Sequence, residues 1–143
     1  MSKINDYARF VDSCTSKTSK HTDTMVSRLD RLQGTVSVQG LQRTEELQVA
    51  RLLTSVIGMM AESGEFAEVV KKKVFQADTQ FTNDEIFHMK RELGDVLWYW
   101  VQGCIALGFT PDEVMDENIN KLEKRYPNGF EVIRSEVRAE GDI

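Results

Sequence analysis

Cysteine, histidine and proline are scarce in this 143-residue chain, with two of each. Cys14 and Cys104 stand far apart with no CxxC and no metal-type His spacing. A zinc site, a redox pair and a disulfide framework are therefore not encoded, and both thiols are expected to be reduced, buried small side chains. His21 and His88 have no Ser–His–Asp surroundings, which removes most nucleophilic hydrolase mechanisms, and His88 reads as a structural or exposed histidine. Long apolar runs are missing as well. The longest uncharged stretch, Val96 to Pro111, contains Gln102 and has 16 residues, short of the ~20 that a bilayer span needs. There is no basic excess: 18 Lys+Arg against 23 Asp+Glu leave a net charge of -5, which argues against a nucleic-acid polymer or an anionic membrane as partner. The first residues, MSKINDYARF, lack the apolar centre of a signal peptide, so a cytoplasmic location is expected.

What remains is 41% hydrophobic and 29% charged, the proportions of one globular domain spanning 1–143. Apolar residues recur at helical spacing and no strand alternation stands out, so the chain reads as all-α. A first helix is expected from about Asn5 to Cys14. The stretch Ser13 to Thr24, rich in Ser, Thr and Lys, reads as a connector, although it offers hydroxyls and lysines that suit a loop over phosphates. A short helix follows to about Gln33, then a loop at Gly34–Gly40, then a long helix at about Leu41–Phe75 with a bend near Gly58 or Gly64. Thr82 with Glu85 forms a capping box before an apolar run ending at Gly108. Thr110-Pro111-Asp112-Glu113 repeats that start signal for a helix to about Tyr126. The last 13 residues read as a short helix or a tail. Long helices with short connections describe a bundle.

Two acidic pairs interrupt the core pattern. At about 100° per residue, Glu62 falls between Phe66 and Val69, and Glu65 lies about 60° to one side, one turn on. In the following helix Glu92 sits about 40° from Val96 at the edge of the apolar arc, and Asp95 again lies about 60° away. A carboxylate within an apolar arc is costly unless its charge is compensated, and four together repel. Divalent cations resolve both problems, and all-oxygen donors favour Mg²⁺, or Mn²⁺, over zinc. Glu68 falls outside the arc and is expected to face solvent.

The text around these pairs is recognisable. Glu62-Ser63-Gly64-Glu65, then 26 residues, then Glu92-Leu93-Gly94-Asp95 resembles the ExxE…ExxD motif of the MazG-like, all-α NTP pyrophosphohydrolase superfamily. GMMAESGEFAEVVKK is similar to the family's first metal helix and ELGDVLWYW to its second; NINKLEKRYPNGF resembles a helix end and turn of small, including phage-type, members. The resemblance implies a four-helix-bundle-type core at about 41–130 in a homodimer or homotetramer. It implies Mg²⁺-dependent hydrolysis of (d)NTPs between the α and β phosphates, with a dCTP- or dUTP-type pyrophosphatase as an alternative. By the same resemblance Glu62, Glu65, Glu92 and Asp95 are metal ligands, with Glu62 and Glu65 the candidates for accepting a water proton.

For the substrate, the candidates are Lys72 (with Lys73 as its neighbour on the Glu62 line), Asn118, Lys121 and Arg125 along one face of the last long helix, Tyr99 one turn past Asp95, and Tyr126 before Pro127. Trp98 points away from the carboxylates, toward core or a subunit interface. Leu52, Val56, Val96, Trp100 and Cys104 are expected to form the intramolecular core, while Leu53, Ile57, Val101 and Ile105 on other sides of the same helices call for a second copy. A helical module that only binds or oligomerises, with Trp98, Trp100 and Val101 as its working surface, is the competing reading.

Overall fold

The computed structural model describes residues 3–37 and 44–137, with the side chains of 35–37, 44 and 45 left aside. The chain divides into two compact units, Met1–Ala50 and Arg51–Ile143. The expected all-α class holds, since helices make up nearly all of the described regular structure. No described helix is long and apolar enough to cross a membrane.

In the first unit, α1 covers Lys3–Cys14, α2 Lys17–Lys20 and α3 Thr22–Leu32. Ser13–Thr24 is therefore not a plain connector: Ser16 caps the single turn of α2 by accepting from the Ser19 N–H at 3.2 Å, and α3 begins within the stretch. Small hydroxyl side chains favour such capped turns as much as they favour loops. Cys14 is exposed, contrary to the expectation of burial. It ends a helix in which none of the described residues is buried.

The largest departure from the sequence reading follows α3. Strand β1 (Gly34–Ser37) pairs antiparallel with β2 (Thr44–Leu47), Gly34 opposite Leu47 and Ser37 opposite Thr44. A loop at Gly34–Gly40 and a helix from Leu41 were expected; residues 38–43 lie outside the described ones, but 44–47 are strand. The misread segment, Thr44-Glu45-Glu46-Leu47, contains good helix formers and has no alternation, so its extended form rests on pairing with β1 rather than on propensity.

In the second unit, α4 runs Val49–Phe75, α5 Asn83–Ala106, α6 Pro111–Arg125 and α7 Val132–Glu136. α4 is continuous through Gly58 and Gly64. The capping boxes form as read: Thr82 N–H donates to Glu85 Oε2 at 2.7 Å and Glu85 N–H to Thr82 Oγ1 at 3.2 Å, with the same distances for Thr110 and Glu113. α5 ends in a Schellman motif. Phe109 N–H reaches Cys104 O at 2.9 Å and Gly108 N–H reaches Ile105 O at 3.0 Å, with Gly108 at φ 80°, where a side chain would be strained.

α4 and α5 meet along a seam of small residues. Ser55, Gly58 and Gly103 are buried there, and Cys104 and Ala106 are buried near the end of α5. Ser55 Oγ donates to Tyr99 O at 2.8 Å, which satisfies a hydroxyl with no exposure to water. The Tyr99 ring lies over Gly58, leaving no room for a Cβ at that position. Because Ser55, Gly58 and Gly103 are small, the two helices touch closely at these positions, which fixes the register of what they carry further along.

Larger apolar residues lie outside that seam. Val56, expected in the core, is exposed, and so are Ile105, Ile57 (66%) and Trp98 (53%). Leu52, Leu53, Val96, Trp100 and Val101 are half-buried. The core within one chain is thus narrower than the helical wheel suggested: small side chains, not the branched ones, occupy the contact line.

The α4–α5 turn is closed by Lys73, the neighbour of the phosphate candidate Lys72. Its side chain is 9% exposed; Nζ donates to Thr79 Oγ1 and Gln80 O, each at 3.1 Å, pairs with Glu85 Oε2 at 2.8 Å and lies 5.8 Å from the centre of the Phe81 ring. So many partners leave this ammonium nothing to offer a ligand. The Lys73 ammonium, with the Thr82 N–H next, holds the Glu85 carboxyl below its ordinary value. Stability from a lowered carboxyl is complete above the ordinary carboxylate range and is lost as pH falls through the lowered value. Lys73→Met is therefore expected to melt earlier than the wild type at neutral pH. It should also lose less of its Tm on acidification, which thermal melts taken from pH 7 to about 3 will show.

Candidate metal centre

Antiparallel packing of α4 on α5 brings the acidic pairs together. One carboxylate oxygen from each of Glu62, Glu92 and Asp95 lies within 4.8 Å of the others. Opposite ligands of a Mg²⁺ ion bound at ~2.1 Å stand roughly 4 Å apart, so the three oxygens fit one hard cation after a small side-chain adjustment. Glu65, the fourth expected ligand, falls in an adjoining group: its oxygen, a His88 ring nitrogen and a Glu92 oxygen also lie within 4.8 Å of one another. Glu92 belongs to both groups.

Charge and burial explain why this arrangement is chemically loaded. Glu92 is 7% exposed, the only buried ionisable carboxylate among the described residues. Burial pushes the Glu62 carboxyl above its ordinary value, and a hydrogen bond with Glu92 and the charges of Glu65, Glu92 and Asp95 push the same way. A native contact that raises a carboxyl's pKa is one that works against its ionised form, and a divalent cation reverses the balance. The donor set thus suits an oxygen-seeking metal ion.

The sequence reads His88 as a structural or exposed histidine; its Nε2 is 2.8 Å from Glu92 Oε1. The available signal was spacing: His88 and Glu92 are one turn apart on one helix face. His88 and Glu65 open onto a cavity of about 470 Å³ whose wall also holds Glu68, Val69, Lys72 and Glu85. Lys72 thus shares a cavity with the acidic centre, as a phosphate contact requires, and pairs with Glu68 at 3.4 Å. The Glu68 side chain is 43% exposed and pairs with Lys71 as well, in keeping with the solvent-facing position expected of it.

The other expected substrate residues lie elsewhere. Asn118 and Lys121 line a separate cavity of about 350 Å³ with Phe109, Glu113, Val114 and Glu117. The Arg125 guanidinium is 5.9 Å from the Tyr126 ring, which in turn is 5.4 Å from that of Phe130. Tyr99 lines neither cavity. Its ring packs on Gly58 and edge-on against Trp98 at 4.8 Å, so its observed role is in helix packing.

Residues 51–130, which contain both acidic pairs and the helices that align them, match the family model described as the MazG nucleotide pyrophosphohydrolase domain. The chain belongs to the MazG nucleotide pyrophosphohydrolase family. The match begins at Arg51, where the second compact unit begins. Among curated proteins, this MazG-family chain is similar to the Gene 37 protein of Mycobacterium phage L5, 36% identical over 73 residues. That alignment covers 51% of this chain and 64% of the phage protein, so the chain spans less than two thirds of the relative's length. The likeness supports a phage-type member of the MazG family. No solved structure matches the chain.

Proposed function

We propose that this MazG-family chain hydrolyses nucleoside triphosphates, canonical or modified (d)NTPs, between the α and β phosphates, releasing the (d)NMP and pyrophosphate in a Mg²⁺-dependent reaction. The convergence of Glu62, Glu92 and Asp95 from two helices, with Glu92 buried and shared, is the observation that carries this reading. Bound there, the cation supplies charge neutralisation for the triphosphate and a more acidic water. Glu62, Glu92, Asp95 and Glu65 hold and orient the reacting groups, and the water's proton passes to a carboxylate of α4, Glu62 or Glu65. Water attacks phosphorus, the α–β anhydride bond breaks, and pyrophosphate leaves with the bonding electrons. No covalent nucleophile is required, because phosphoryl transfer depends chiefly on positioning and charge stabilisation. Lys72, on the wall of the cavity that Glu65 shares, is suited to the outer phosphates.

Assembly as a homodimer or homotetramer in the cytoplasm completes the reading. It is supported by the exposed Ile57, Leu97 and Trp98, which an isolated chain leaves uncovered on the two metal-bearing helices. A panel of NTPs and dNTPs with Mg²⁺, followed by pyrophosphate release, tests the activity. Release is expected for at least one nucleotide and is expected to disappear with chelator. Failure with every nucleotide, or full activity in Glu62→Ala, leaves only the reading of a helical module that binds or oligomerises.

A further inference from the structure

A buried ammonium that the proposed chemistry does not use ties the end of α4 to the start of α5. Lys72 and Lys73 lie in the last turn of α4, which stops at Phe75. Helix ends fray unless their free backbone groups are held. Here the Lys72 carbonyl accepts from the N–H groups of Gln76 at 2.9 Å and Ala77 at 3.0 Å, which closes the backbone of the turn. The Lys73 side chain, 9% exposed, then fastens it. Its Nζ donates to Thr79 Oγ1 and Gln80 O and reaches Glu85 Oε2 at 2.8 Å.

A tie for the turn alone would account for the bonds to Thr79 and Gln80. It would not call for Glu85, whose capping box with Thr82 is complete without any lysine. Glu85 also stands on the wall of the cavity of about 470 Å³, with Glu65 and Lys72 on the α4 side. The clasp therefore joins the two helices that wall the cavity, at the turn where one of them carries Lys72. At 1.5 Å per residue, Lys72 is roughly 10 Å along α4 from Glu65. That places the clasp at the end of the cavity away from the acidic centre, where it bears on binding rather than on the bond that breaks.

We propose that Lys73 and Glu85 are positioning residues for the substrate: paired, they fix the far wall of the cavity and hold Lys72 for the outer phosphates of a nucleotide at the acidic centre. Lys73 acts through its neighbour, since its three N–H donors already have Thr79, Gln80 and Glu85 as partners. A preorganised wall spares the nucleotide the cost of ordering a helix end, a gain shared by bound substrate and transition state. Such uniform binding shows in KM and not in kcat. The inference rests on the proposed hydrolase reading and adds to it two residues outside the acidic pairs.

The test uses the full chain with Mg²⁺ and the four canonical NTPs and four canonical dNTPs. Steady-state pyrophosphate release is read well below the melting transition of every variant. Lys73→Met and Glu85→Gln are each expected to raise KM at least about fivefold, with kcat within about twofold of the wild type. Gln at this position still completes a capping box, so its effect is not that of a lost helix start. The double variant is expected to match Lys73→Met within about twofold, because both changes break one pairing. A lowered Tm with KM unchanged would show that the clasp only stabilises the turn, and overturns the inference. So does a KM rise confined to one single variant, a loss in kcat alone, or additive KM rises in the double variant. Should Lys73→Met fail to fold, Glu85→Gln alone decides. No release from any nucleotide by the wild type overturns the hydrolase reading and this inference with it.

Discussion

Glu92→Gln is expected to lower pyrophosphate release by about two to three orders of magnitude and, with no divalent cation present, to raise Tm by a few degrees. The two effects share a cause. Glu92 is the buried carboxylate common to both donor groups, so removing its charge removes the anchor on which a cation is held. The same charge is one of the influences that raise the Glu62 carboxyl. A raised carboxyl supports the fold while protonated, below its ordinary range, and subtracts from stability as pH rises through the raised value. The Tm gain of Glu92→Gln should therefore be present at neutral pH and shrink on acidification, and added Mg²⁺ should stabilise the wild type much more than the variant. Activity assays alongside melts with and without Mg²⁺ check all of this. Loss of activity together with a lowered Tm at neutral pH would instead mark Glu92 as a structural residue.

Gly58→Val is expected to cost about 3 kcal/mol of stability, roughly 10 °C in Tm, at the upper end of what overpacking does. The Tyr99 ring occupies the space a Cβ would need, and Ser55, three residues back on α4, holds the Tyr99 carbonyl in place. The backbone at the seam is thus pinned beside the intruding side chain, and relief must come from the ring swinging out or the helices parting. If the helices part, the carboxylates further along separate too, so Mg²⁺ affinity should fall with stability although position 58 touches no ligand. The double variant Gly58→Val/Tyr99→Ala should recover part of both losses relative to Gly58→Val alone, since the two residues are in contact and their effects are coupled. Denaturant unfolding and Mg²⁺ titration on the three variants measure this. Additive losses would show that the ring and the glycine do not oppose each other.

Much of the second unit was legible in the residues. The capping boxes at Thr82 and Thr110, Pro111 at a first helical position and Gly108 after a last turn are local devices whose partners lie within a few residues, so the text states them almost directly. The acidic pairs were legible because helical periodicity alone places each within or beside an apolar arc. The strands Gly34–Ser37 and Thr44–Leu47 were not legible, because a two-stranded pairing holds residues whose composition points to a loop in the first and to helix in the second, and pairing partners cannot be read from a window. Cys14 and Val56 were misjudged for a related reason: an apolar stripe says which side of a helix is available for burial, not whether anything lies against it.

Sequence alone determined the helical class of the second unit, the starts of α5 and α6, the MazG-like motif and the four candidate carboxylates, all of which are local to one stretch of chain. Tertiary structure decided how those carboxylates divide. Glu62, Glu92 and Asp95 converge, Glu65 turns to His88, and Glu92 serves both, because the small residues at the α4–α5 seam set which turns of two antiparallel helices face each other. It also gave Lys73 to the turn, Tyr99 to the seam, and Asn118 and Lys121 to a second cavity. Spacing along a helix predicts the side on which a residue stands, but the residue it meets is a property of the other helix and of how closely the two approach.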